Sequence, residues 1–173
     1  MSARGSIMGL GAALMLALPT TTVDEARFAL TTTGALRITA SGDATFGELP
    51  ASAEVPAAFS ITLGAESQRG AVVLMQRAGT TPMAGRYRVR DFAEGDDADF
   101  SALFVAGSPS EPIGVFRGRS GTVTITATRP GRVEGTFVIE ARGFLASNPR
   151  NEDVRVRITG TFVALDGKAG MGV

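Results

Sequence analysis

The chain has 173 residues, 17 basic and 17 acidic side chains, and neither cysteine nor histidine. Disulfides, thiolate nucleophiles, Cys/His zinc sites and histidine-based acid–base catalysis are therefore excluded. Zero formal net charge gives no global attraction to nucleic acid or to an anionic membrane, and no nucleic-acid partner is expected.

The N-terminus differs from the rest. Arg4 is the only charge before Asp24, and Ile7 to Leu18 is an unbroken apolar and glycine run closed by Pro19 and a threonine run. As a helix that run reaches about 18 Å, short of a bilayer core of roughly 30 Å. The pattern reads as a secretory signal over residues 1–22, which makes the protein exported, periplasmic or extracellular. The other reading is a buried N-terminal helix. No cysteine follows for a lipid anchor, and the mature chain holds no expected membrane-spanning segment. The mature domain is set at 23–166, followed by a flexible Gly-rich tail over 167–173.

Residues 23–30, VDEARFAL, are the one further place for a helix. From Gly34 onward the period is two. Leu36, Ile38 and Ala40 alternate with polar residues; Gly42-Asp43 interrupts, and Ala44 and Phe46 resume. A loop with two prolines covers 47–56. Phe59, Ile61 and Leu63 form the next strand, and AVVLMQR (71–77) is apolar on both faces, as a central strand would be. Tyr87 and Val89 alternate with Arg86, Arg88 and Arg90. An acidic loop follows at 93–99, then strands at 100–105 and 113–117.

The last third has the clearest grammar. Val123, Ile125 and Ala127 oppose a threonine row, and Val133, Phe137, Ile139 and Ala141 oppose Glu134, Thr136 and Glu140. Arg129-Pro130-Gly131-Arg132 fits a type II turn, with Pro fixing φ and Gly accepting positive φ. Val154 to Leu165 is a last strand, whose Arg155 and Arg157 can pair with Glu134 and Glu140. About nine or ten strands at this spacing predict an all-β domain, a single antiparallel sandwich or flattened barrel.

Four stretches carry a resemblance: Gly85–Tyr87 (G-x-Y), Ser120–Thr126 (SGTVTIT), Val133–Phe137 (V-x-G-T-F) and Gly160–Phe162 (G-T-F). Over residues 84–165 the chain resembles small secreted β-rich bacterial proteins of unknown function. The resemblance implies an antiparallel β fold and an envelope location. It supplies no catalytic residue, and the lipoprotein cysteine frequent in such proteins is missing here.

Candidate sites are few. Asp91, Glu94, Asp96, Asp97 and Asp99 are the oxygen-rich cluster that calcium would use, with Asp96, Asp97 and Asp99 at its centre, but the spacing is not that of an EF-hand and a solvated turn accounts for it. Arg86, Arg88 and Arg90, with Arg117 and Arg119, could form an anion-binding stripe, but a solvated strand face paired with nearby acids is the favoured account. A carboxylate pair for glycoside hydrolysis has no flat aromatic beside it. No catalytic residue, resident metal or cofactor is expected. Phe46, Phe59, Phe100, Phe104, Phe116, Phe137 and Phe162 either fill a core or line a barrel that carries a small apolar ligand, as in lipocalins. The primary expectation is a non-catalytic structural, adhesive or interaction module whose partner is another envelope or extracellular component, or itself.

Overall fold

The computed structural model describes residues 25–51, 57–64, 70–91, 93–94, 96–108 and 111–167. The stretch read as a signal (1–22), residues 52–56 of the expected 47–56 loop and the tail beyond Gly167 lie outside them; Gly47 to Leu49 of that loop are strand. Nine strands are present among the described residues, and no helix. They are β1 (Arg27–Gly34), β2 (Thr39–Leu49), β3 (Ala58–Gly64), β4 (Gly70–Gln76), β5 (Gly85–Arg88), β6 (Phe100–Gly107), β7 (Pro112–Arg129), β8 (Arg132–Leu145) and β9 (Val154–Asp166).

Eight of them close a ring, β1-β2-β3-β4-β6-β7-β8-β9 and back to β1, antiparallel at each of these joins. Of the two expected architectures the chain forms the barrel, because β9 returns to pair with β1 along Arg27↔Val163 to Gly34↔Val156. A sandwich would leave that edge open. The ninth strand, β5, is an excursion between β4 and β6 that pairs with the distal half of β7 at Gly85↔Ile125 to Arg88↔Thr122.

Three expectations are corrected. Arg27 to Leu30 is strand rather than helix: Phe28, Leu30 and Thr32 alternate inward, and only the last is polar. The alternation from Gly34 to Ala40 is not one strand: Gly34 ends β1, and Ala35 to Ile38 form the turn into β2. Thr32 closes it, its hydroxyl donating to Leu36 O (3.0 Å) and accepting from Ile38 N–H (2.9 Å). Ile113 to Arg117 is not a separate strand but the first part of the 18-residue β7. A register shift at Gly118/Ser120 changes which residues face inward, from Gly114, Phe116 and Gly118 to Val123 and Ile125. The turn at 129–132 forms as expected, with Gly131 at φ 73°.

An eight-stranded barrel is just wide enough for side chains to fill it. Here phenylalanines do so: Phe28, Phe46, Phe59, Phe100, Phe104, Phe116, Phe137 and Phe162 are all buried. Phe104 stacks on Phe116 with ring centres 6.0 Å apart, and Phe137 on Phe162 at 6.4 Å. The two G-T-F triplets explain the second stack. In the β8–β9 register Gly135 faces Phe162 and Phe137 faces Gly160. Each ring therefore lies over the glycine opposite, an arrangement that uses aromatic area to cover bare backbone. A Cβ at Gly160 would sit 2.5 Å from Phe137 Cζ, and one at Gly135 2.6 Å from Phe162 Cζ. Reciprocal glycines thus let two rings share one layer of a narrow interior.

Candidate functional site

The acidic loop is built against arginines. Gln76, buried in β4, donates from Nε2 to Ala98 O at 2.6 Å and pins the loop to the barrel. Asp99 lies 3.4 Å and Asp96 4.0 Å from the Arg88 guanidinium; Asp97 lies 3.7 Å from Arg77; Asp91 is ion-paired with Arg119. Among the described residues no three carboxylates converge into a metal-holding group. Four of the five acids that the sequence groups, Asp91, Asp96, Asp97 and Asp99, are spread over three guanidinium groups.

The predicted arginine stripe is also redistributed. Arg86 and Arg88 stand on β5, opposite Thr124 and Thr122. Arg88 faces the acidic loop, and Arg90 donates its backbone N–H to Phe100 O at 2.9 Å. Tyr87 between them turns toward the core, its ring edge-on to Phe100 at 5.6 Å and its hydroxyl donating to Met83 O at 2.8 Å.

The register assembles a different row. Arg117 of β7 lies directly opposite Arg142 of β8, and Arg142 opposite Arg155 of β9. Like charges directly opposed across strands are destabilising. Asp153 offsets part of this, 2.9 Å from Arg142 Nε and 3.5 Å from Arg155 Nε. Arg117 has no such help: among the described residues no carboxylate lies within 4.0 Å of it. Arg117, Arg119 and Arg142 line a groove of about 320 Å³ with Val115, Phe144 and one acid, Glu152.

Arg117 also lines a second, apolar groove of about 360 Å³, together with Val73, Met75, Ser101, Ala102, Leu103, Gly118 and Asp91. This groove exists because β6 and β7 part. Their pairing runs only from Gly107↔Pro112 to Leu103↔Arg117; beyond it β7 turns to β5. Val73 and Leu103 are cross-strand partners on the outer wall, and Leu103 is 39% exposed. The sequence signal for this face was AVVLMQR: its second apolar face is the groove. A third cleft, of about 400 Å³ at one barrel end, gathers Glu48, Thr81, Thr128, Arg129 and Asp166. There Glu48 already accepts from Thr81 N–H and Oγ1, both at 3.1 Å, and Thr128 donates to Pro82 O at 2.7 Å.

No protein-family model matches the chain, and no curated protein or solved structure matches it.

Arg142 and Arg155 were not part of the sequence-predicted stripe, since one strand's sequence does not show which residue lies opposite. Chemically the outer wall offers guanidinium groups beside an aliphatic trough. That combination suits recognition of an anion attached to an apolar body.

Proposed function

We propose that this chain is a non-catalytic, exported interaction module of the bacterial envelope or exterior that binds through its outer barrel wall. The observation that carries the reading is the trough between β6 and β7, where Val73, Met75 and Leu103 face outward beside Arg117. A barrel wall with no binding task would be expected to carry polar residues at those positions. Absent cysteine and histidine, and arginine-engaged carboxylates, support the non-catalytic part. The apolar N-terminal run supports export.

The carrier alternative places the ligand inside the barrel. The closed eight-stranded ring is compatible with it, while the stacked phenylalanines over Gly135 and Gly160 favour the wall. A neutral solvatochromic dye separates the two. Wall binding expects Leu103→Glu to abolish the dye signal and Phe137→Leu to leave it intact. The reverse pattern establishes the carrier and overturns the proposal. Turnover of any substrate abolished by a single carboxylate substitution overturns the non-catalytic assignment.

A further inference from the structure

We infer that the outer-wall trough takes a single-chain amphiphilic anion of the fatty-acid class, its acidic head on Arg117 and its chain along Val73, Met75 and Leu103. The inference rests on the wall-binding reading and names the ligand chemistry for it.

Charge complementarity places the head. Of the three arginines in the cationic groove, Arg119 is ion-paired with Asp91 and Arg142 with Asp153. Arg117 stands opposite Arg142 and is the member with no carboxylate within reach among the described residues. An incoming carboxylate would relieve the like-charge opposition and take a forked, two-point contact from the guanidinium. The same residue also lines the apolar groove, so a head bound there has the trough beside it for its chain. Direct pairing of Leu103 with Arg117 across β6 and β7 fixes that junction in the sheet itself.

The acids present set the head's charge. Glu152 lines the cationic groove and Asp91 the apolar one. Both would repel a second negative charge, so a monoanion fits where a polyanionic glycan or phosphate cluster would not. Each groove is of the size small-ligand sites use, about 300 Å³ upward.

The test is calorimetric titration of the full-length protein with monomeric laurate. Acetate serves as the head alone, and dodecyltrimethylammonium as the same chain with opposite charge. Laurate is expected to bind, acetate not, and the cationic amphiphile about tenfold or more weaker than laurate. Arg117→Gln should weaken laurate by about the same factor and erase the preference for the anion, since a charged hydrogen-bonding contact is lost. Arg86→Gln, on β5, should change nothing. Equal laurate affinity in Arg117→Gln overturns the inference, as does binding only to vesicles of anionic phospholipid, which would mark a membrane-surface contact instead. If the neutral dye binds the wall but laurate shows no dependence on Arg117, the head-group assignment fails alone. If neither binds, the wall reading fails with it.

Discussion

Replacing Gly160 with alanine adds one methyl group where the barrel has no room for it. The new Cβ would lie 2.5 Å from Phe137 Cζ and 2.7 Å from Ala29 O. The ring can retreat only toward Phe162, on which it already stacks, and the carbonyl belongs to β1, paired along its whole length with β9. Overpacking of this kind costs about 1–3 kcal/mol. Removing a glycine from a strand interior returns about 0.5–1 kcal/mol through the unfolded chain. The net expectation is a loss of about 1–2 kcal/mol, read in urea as a midpoint lowered by roughly 1 M at unchanged slope. Gly47→Ala is the matched control: β2 also passes through a glycine there, but nothing lies within 4 Å of its would-be Cβ, so neutral or slightly raised stability is expected. Adding Phe137→Leu to Gly160→Ala should recover part of the loss, the coupling energy of two touching sites. A Gly160→Ala midpoint equal to or above that of Gly47→Ala would refute the interlock of ring and glycine, and with it the filled interior.

Two further substitutions probe the turns. Thr32→Val keeps shape but leaves the Ile38 N–H and Leu36 carbonyl without their side-chain partner. A loss of about 1–3 kcal/mol is expected by thermal melting, with faster amide exchange at Ile38. At Gly131→Ala there is open space around the Cβ, so only the positive φ opposes it. Destabilisation of about 1–2 kcal/mol should follow, with the hairpin register unchanged in amide exchange.

The alternation in β7 to β9 was legible because each strand has one wet and one dry face, and inversion would exchange them throughout. The phenylalanines were legible as interior for the same reason. Where reading failed, the missing information lay between strands. Glu140 meets Arg157, as expected, because they are register partners with oxygen and nitrogen 2.5 Å apart. Glu134 instead pairs with Arg132 two residues away, and Arg155 with Asp153. The row Arg117–Arg142–Arg155 depends on two register shifts between β7 and β8, at Gly118/Ser120 and Ile125/Ala127, which the sequence of either strand alone does not place. β1 was missed because its third inward residue is Thr32, whose burial depends on two hydrogen bonds rather than on apolarity. Barrel closure was hidden too, since it is a contact between the first and last strands.

That closure orders events in time. Along most of the ring each strand meets its sequence neighbour, and these hairpins can zip locally as they emerge. The joint of Arg27–Gly34 with Val156–Val163 cannot, since it spans nearly the whole described chain. Until β9 is synthesised, β1 has one bare edge and the phenylalanines have no ceiling. The nascent polypeptide therefore cannot close its ring before the last strand is made, and an unpaired strand edge of this kind is prone to aggregate. Loss of the last three residues of β9 would be felt first at Thr45 and Phe46 of β2 and at Arg132 and Val133 of β8, and only a cut reaching Val163 would begin to strip β1.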